Sequence, residues 1–209
     1  MKRRGWAIAA IVAAMAFFVG WPVTATLARG QVVVYTDAEP LVCLDRPTTI
    51  IGMDETDETA PHVVAAEVTK DLRCEQRIFV RNDSAFAAEI TEVWLPYMGE
   101  DTGVPVRVLT IDGEEPSEVD PLSMNPRESS IDARVRFASP VILQPGEIHL
   151  IVAALGFNSN GCIAQGGSTT IRPEHPVTIS LLGFSGEPVY TGAAYGFAAA
   201  SGDASSCDS

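Results

Sequence analysis

The sequence predicts a mainly β protein, an antiparallel β-sandwich preceded by an apolar amino-terminal helix. Three observations support this fold class. After residue 28 apolar side chains recur in short runs, many with period two, and Gly, Pro, Asn and Asp separate the runs. Helical periodicity is almost absent there, although the crossovers of a parallel sheet usually need helices. An uncharged stretch before residue 29 predicts the helix.

The amino-terminal helix is predicted from the distribution of charge. Lys2, Arg3 and Arg4 come first, and residues 5–28 then carry no charged side chain. As a helix this stretch would rise about 36 Å, enough to cross a hydrocarbon core of about 30 Å. The positive-inside rule keeps the basic residues 1–4 in the cytoplasm and places the rest of the chain outside.

The segment over residues 5–28 has two interpretations, and both predict export. If it is retained, the protein is a single-pass protein of the cell membrane with an extracytoplasmic C-terminal domain. If it is a signal peptide cleaved near Ala25 or Ala28, where small residues suit signal peptidase, the protein is secreted. The 12 arginines, 2 lysines and 26 alanines are typical of a GC-rich genome, so we expect a bacterial envelope protein.

The strands are predicted from alternation and from the turns that bound them. A valine-rich run opens the series, and the run at 149–157 is apolar nearly throughout, which indicates a central strand. In the run at 131–137, Val135 and Phe137 share one face while Arg134 and Arg136 share the other. The predicted strands are 31–36, 72–82, 89–95, 104–111, 131–137, 149–157, 177–182 and 190–198, and the main turns are 82–84, 112–113 and 143–147.

The domain division follows from these runs. Residues 29–70 contain prolines and an acidic run, and we expect them to form an amino-terminal strap and an acidic loop. Residues 71–200 are predicted to form the β-sandwich, a size that fits one domain. Residues 201–209 are small and polar and are expected to be a flexible tail.

All four cysteines lie in the exported part of the chain. An even number of cysteines in an oxidising compartment predicts two disulfides, and three pairings are possible. We favour pairing between sequence neighbours. The expected bonds are Cys43–Cys74 and Cys162–Cys207.

Three segments resemble exported bacterial immunoglobulin-like domains. They are Phe79-Val80-Arg81-Asn82-Asp83-Ser84, the strand Ile90-Thr91-Glu92-Val93 with Leu95-Pro96, and the turn Leu143-Gln144-Pro145-Gly146-Glu147. In such domains a strand ends in Asn followed by small polar residues, and a Pro-Gly turn introduces a late core strand. The resemblance implies an antiparallel immunoglobulin-like β-sandwich and indicates no particular activity.

No sequence motif indicates catalysis. His62, His149 and His175 are scattered and form no zinc-binding motif. Residues 183–186 resemble a nucleophile elbow, but Glu187 replaces the final glycine and no helix pattern follows, so a turn is predicted. We therefore expect no enzyme, no catalytic residues and no cofactor.

Acidic residues are the enriched chemical group. The chain carries a net charge of −13, and without its three amino-terminal basic residues the remainder has 11 basic against 27 acidic side chains, or −16. Such a charge argues against nucleic acid, because binding to phosphates needs Lys and Arg. The acidic clusters are either Ca²⁺ sites or solvated surface. They are Asp54, Glu55, Asp57 and Glu58, and then Asp112, Glu114, Glu115, Glu118 and Asp120.

These features predict a non-enzymatic interaction or structural module of the cell envelope, either membrane-anchored or secreted. Its expected partners are the membrane, through the amino-terminal helix, and an envelope protein. One alternative is an extracytoplasmic module that binds Ca²⁺ or a small ligand. A second is an extracytoplasmic hydrolase, which would need Ser, His and Asp from distant positions to meet in a cleft.

Overall fold

A computed structural model describes residues 20–37, 39–44, 49–52, 62–98, 104–122, 132–161, 163, 169–172, 175–186, 188–189 and 194–199. Over these residues the chain is mainly β, with fourteen strands and a helix at residues 20–29. The strands are β1 (Val32–Tyr35), β2 (Leu41–Cys43), β3 (Thr49–Gly52), β4 (His62–Val68), β5 (Arg73–Asn82), β6 (Ala88–Pro96), β7 (Val106–Ile111), β8 (Glu118–Leu122), β9 (Asp132–Leu143), β10 (Ile148–Phe157), β11 (Thr169–Arg172), β12 (Val177–Leu181), β13 (Phe184–Ser185) and β14 (Tyr195–Ala199). The mainly β prediction is confirmed.

The described strands form three sheets, here numbered I to III. Sheet I has the order β1-β5-β10-β7, and β2 also pairs with β5. Sheet II has the order β11-β14-β4-β3, and sheet III has the order β13-β12-β6-β9-β8. Buried side chains from all three sheets belong to one hydrophobic core. A core shared between sheets is the arrangement of a β-sandwich.

Alternating burial identifies the half-buried strands. In β5 every second residue from Cys74 to Asn82 is buried. In β9 Val135 is buried, whereas Arg134 and Arg136 are exposed on the opposite face. The predicted central position of β10 is also confirmed, because β10 pairs with β5 on one side and with β7 on the other.

Strand β9 is longer than predicted because it contains a bulge. Between Ile90 and Glu92 of β6 the partner on β9 changes from Val141 to Arg136. The intervening residues of β9 therefore have no regular partner on β6. Pro140 lies in this interval, where the missing amide donor of proline interrupts no ladder hydrogen bond. The proline made the strand look shorter in the sequence than it is.

One strand pair departs from the expectation of a wholly antiparallel fold. Strands β4 and β14 pair in parallel, with Val64 opposite Tyr195 and Val68 opposite Ala199. All other strand pairs between the described elements are antiparallel. The sequence predicted no parallel pair, because no crossover helix was found to connect parallel strands. The chain between β4 and β14 instead forms strands of sheets I and III before it returns.

Strands also form within residues 29–70, the predicted strap. β1 and β2 pair with β5 of sheet I, and β3 pairs with β4 in sheet II. The predicted tail, residues 201–209, and the basic residues 1–4 lie outside the described residues.

Only part of the predicted membrane segment is described. Residues 20–29 form a helix, and residues 5–19 lie outside the described part of the chain. Among the described residues, no helix has the length and apolar composition needed to span a membrane.

Candidate interaction surface

One of the two expected disulfides is present. Cys43 in β2 and Cys74 in β5 lie opposite each other in the strand register, and their sulfur atoms are bonded at 2.07 Å. The bond links a segment that precedes the predicted sandwich to an interior strand of sheet I. Cys162 and Cys207 lie outside the described residues.

The first acidic cluster cannot be placed, because the candidates Asp54, Glu55, Asp57 and Glu58 lie outside the described residues. Within the described ranges, no three His, Cys, Asp or Glu side chains gather in a group that could hold a metal ion.

The second acidic cluster is divided between a turn and a strand. Asp112 and Gly113 form the predicted turn after β7, with φ angles of 52° and 83°. The Asp112 Oδ1 atom accepts a hydrogen bond from the Val152 amide at 2.8 Å, and Oδ2 accepts one from His149 Nε2 at 2.9 Å. This carboxylate therefore fastens the turn to β10.

The outer face of sheet III carries a ladder of charges that includes Glu118 and Asp120 of this cluster, whereas Glu114 and Glu115 lie between β7 and β8. Arg136 in β9 bridges Glu92 of β6 and Glu118 of β8, and Arg134 pairs with Asp120 at 3.0 Å. The hydrogen bond to Glu92 and the negative charges of Glu118 and Glu92 raise the pKa of Arg136 above its ordinary value. These acids are matched by cations across neighbouring strands, as on an ordinary solvated sheet face.

The segment that resembles a nucleophile elbow belongs to a β-hairpin. Leu182 and Gly183 connect β12 to β13, and their φ angles are 56° and 81°. Two positive φ values between directly paired strands are typical of a type I′ turn. The predicted turn over residues 183–186 is therefore confirmed only at Gly183, because Phe184 and Ser185 form the exposed strand β13.

A buried polar network joins sheets I and II. Gln76 Nε2 lies 2.9 Å from His175 Nδ1, and the Tyr195 hydroxyl donates to Gln76 Oε1 at 2.9 Å. The rings of His175 and Tyr195 stack with centroids 4.7 Å apart, and all three residues are buried. The sequence did not reveal this network, because its members lie on three distant segments. Glutamine on the apolar face of an alternating strand was its only sequence signal.

Asn82 connects the two turns on which the family resemblance rests. Its Nδ2 atom donates to the carbonyls of Phe86 at 2.8 Å and Leu143 at 3.0 Å. Its Oδ1 atom accepts from the amide and the hydroxyl of Ser84 at 3.1 and 2.7 Å. The Gly146 amide donates to the backbone carbonyl of Asn82 at 2.7 Å. The Asn-Asp-Ser and Pro-Gly segments therefore meet in space.

The outer face of sheet I carries an apolar group that we call the outer band. Its members come from β1, β5 and β10, and the register places them in two adjacent rows. Tyr35 and Leu150 both lie opposite Phe79, while Val33 and Ile148 both lie opposite Arg81. The outer band consists of Val33, Tyr35, Phe79, Ile148 and Leu150.

The outer band is accessible to solvent. Val33, Ile148 and Leu150 are exposed, and Tyr35 and Phe79 are half-buried and stacked with centroids 5.2 Å apart. Contiguous exposed apolar side chains on a sheet are uncommon unless something binds there. The charged ladder on sheet III shows that this chain can cover an outer sheet face with ion pairs. The apolar outer band on sheet I therefore contrasts with the charged ladder on sheet III.

Arg81 lies in the same row as Val33 and Ile148, and its positive charge is paired. Its guanidinium bonds to Asp83 with an Nε–Oδ2 distance of 2.9 Å. This hydrogen bond and the negative charge of Asp83 raise the pKa of Arg81 above its ordinary value. The paired charge gives the apolar surface a polar row on which a partner could be oriented.

Comparisons with known proteins give little guidance. No protein-family model and no curated protein matches the chain. Among solved structures, the ASH / PapD-like domain 7 of human CEP192 matches with a TM-score of 0.29 at 10% identity, covering 83% of this chain and 87% of that one. The mu-homology domain of yeast delta-COP-I matches with a TM-score of 0.23 at 8% identity, covering 77% and 55%. At such low TM-scores neither likeness shows a family or a role for this chain.

Proposed function

We propose that this chain is a non-enzymatic interaction module of a bacterial cell envelope, built on an immunoglobulin-like β-sandwich. The outer band is the observation that carries the proposal. Strands β1 and β10 contribute exposed apolar side chains to one continuous face, and β5 between them contributes the half-buried Phe79. Burying such a face against a partner is favourable by about 25 cal/mol for each Å² of apolar surface removed from water.

The negative charge of the chain indicates what charge a partner would carry. The exported part carries −16, so two copies would repel each other during approach. A protein that presents an apolar patch with basic residues around it would be attracted instead. We propose an envelope protein of that chemistry as the occupant of the outer band.

The amino-terminal segment is proposed to hold the module at the cell membrane. Residues 5–28 carry no charge, and the three basic residues before them favour an orientation with the sandwich outside the cytoplasm. Mass spectrometry of the protein purified from its native cells tests this part. A mature chain that begins after Ala25 or Ala28 would mean that the protein is secreted.

Site-specific photo-crosslinking tests the interaction surface. A photoreactive phenylalanine derivative replaces Ile148 in the outer band or Ile142 in sheet III, in the full chain expressed in its native cells. The two isoleucines are matched, because their exposed fractions are 56% and 53%. A third chain combines the probe at position 148 with Leu150→Glu, a change at an exposed position that should leave the melting temperature within a few degrees.

We expect a protein adduct from position 148 that is absent from position 142 and is lost in the Leu150→Glu chain. Equal adducts at the two positions would contradict the proposed surface. An adduct with a second copy of the same chain would contradict the proposed partner and show that the outer band forms a homodimer. An adduct with lipid would contradict it too and show that the outer band faces the membrane.

A further inference from the structure

The helix at residues 20–29 is packed onto the sandwich. Trp21 Nε1 donates a hydrogen bond to the carbonyl of Leu182, in the β12–β13 turn, at 3.2 Å. Ala25 and Ala28 are buried, and Ala28 belongs to the main hydrophobic core. Positions 21, 25 and 28 share one helix face because they are spaced by about one turn. This face of the helix therefore packs against the sandwich.

The end of the helix makes a close contact with the same hairpin. The guanidinium of Arg29 lies directly over the Cα atom of Gly186, where a Cβ atom would be 1.0 Å from an Arg29 nitrogen. The contact depends on glycine, since any larger residue would displace the arginine. Trp21 and Arg29 thus contact the hairpin from the two ends of the helix.

The opposite face of this helix is apolar and open. Val23 and Leu27 are 52% and 69% exposed, and their spacing of four residues places them one above the other. Phe184, the first residue of β13 in the hairpin that the helix contacts, is 40% exposed. No charged side chain precedes Arg29 in the helix. The domain therefore presents exposed apolar side chains from the helix and from the adjoining hairpin.

The uncharged stretch before the helix indicates what covers this surface. Residues 5–19 are uncharged and directly precede the helix in the sequence. As a helix they would rise only about 22 Å, which is less than the hydrocarbon core of about 30 Å. They can reach across only if residues 20–29 begin within the membrane boundary. The exposed face of the docked helix would then meet lipid.

We infer that residues 20–29 form a retained docking helix that lays Val23 and Leu27 on the outer leaflet of the membrane. Amphipathic helices in this position bury an apolar face at the boundary between headgroups and acyl chains. Because the opposite face is fixed to the sandwich, the helix sets the orientation of the whole domain on the bilayer. The inference rests on the proposed membrane attachment.

Lipid-dependent fluorescence quenching tests the inference on the full chain reconstituted into phosphatidylcholine vesicles. An environment-sensitive fluorescent amino acid replaces either Leu27 or Leu44, and the vesicles carry a doxyl quencher on their acyl chains. The leucines are matched, with 69% and 66% exposed. The Leu44 amide donates to the Arg73 carbonyl at the start of β5. At the other end of β5, the Asp83 amide donates to the carbonyl of Gln31, which follows the helix. The ten residues of β5 separate these points by about 30 Å.

We expect the doxyl lipid to quench the fluorescence of the probe at position 27 at least about threefold more strongly than that of the probe at position 44. Equal quenching by vesicles that still carry the chain through a flotation gradient would overturn the docking helix and leave membrane attachment intact. A chain that does not float with the vesicles would refute both. A probe at position 184 gives a second reading, and we expect it to resemble position 27.

Discussion

Replacing Asn82 with aspartate should strongly destabilise the sandwich while preserving the shape of the side chain. Asn82 is fully buried, and its amide nitrogen donates to the carbonyls of Phe86 and Leu143. A carboxylate cannot donate these hydrogen bonds, and its oxygen would face the carbonyl oxygens instead. The two bonds to Ser84 can persist, because aspartate still provides an acceptor.

The size of the effect follows from the number of groups that lose a partner. Each lost hydrogen bond costs about 1 kcal/mol, and a buried group left without a partner costs about 1–3 kcal/mol. We therefore expect Asn82→Asp to lower the free energy of unfolding by about 3 kcal/mol. For a chain of this size, about 1 kcal/mol shifts the melting temperature by roughly 2–4 °C. The expected loss is roughly 6–12 °C.

Asp83→Asn is the matched control, because it makes the reverse exchange at the next residue. Asp83 is exposed and pairs with Arg81 on the surface, where such pairs contribute about 1 kcal/mol or less. Thermal and urea unfolding followed by circular dichroism would measure both variants at the same pH and salt. If the melting temperatures of the two variants differ by less than about 2 °C, the role assigned to Asn82 is wrong.

Three further predictions concern the core. Removing the disulfide with the double change Cys43→Ala and Cys74→Ala should cost about 4 kcal/mol by the loop-entropy estimate for a separation of 31 residues. Urea unfolding of the reduced wild type should match that variant, and an unchanged midpoint would contradict the estimate. Gly156→Ala should cost about 1–3 kcal/mol, because the new Cβ atom would lie 2.7 Å from Leu109 Cδ1; adding Leu109→Ala should then cost less than it does in the wild type. Tyr195→Phe should cost about 1–2 kcal/mol, because a buried glutamine oxygen loses its donor at 2.9 Å, and a melting temperature equal to that of the wild type would argue against this bond.

The sequence was sufficient where the structure depends on neighbouring residues. Strands β5 and β9 were predicted because one face is buried and the other is solvated, which produces alternation within a few residues. The turn at Asp112-Gly113 was predicted because few residues tolerate positive φ. The Cys43–Cys74 bond follows the same rule, since the two strands that it joins lie close in the chain.

The sequence was insufficient where strands that are distant in the chain meet. The tight turn over residues 144–147 suggests a hairpin, yet it connects β9 of sheet III to β10 of sheet I. Gln76 looks like an interruption of an apolar face, because its partners His175 and Tyr195 lie 99 and 119 residues away. Strands β2 and β3 have only three and four residues, which is too short for a period to be recognised.

The net charge of the chain gives no sign of the outer band, which is the surface proposed to bind a partner. A large negative charge keeps a protein soluble even when a face of a sheet remains apolar. On sheet III, Glu118 and Asp120 form ion pairs with arginines of the neighbouring strand, which neutralise their charge. The excess acidity therefore belongs to the molecule as a whole and sets up a long-range field that repels further copies. An apolar face in such a field can stay exposed without self-association and remain available to a partner of opposite charge.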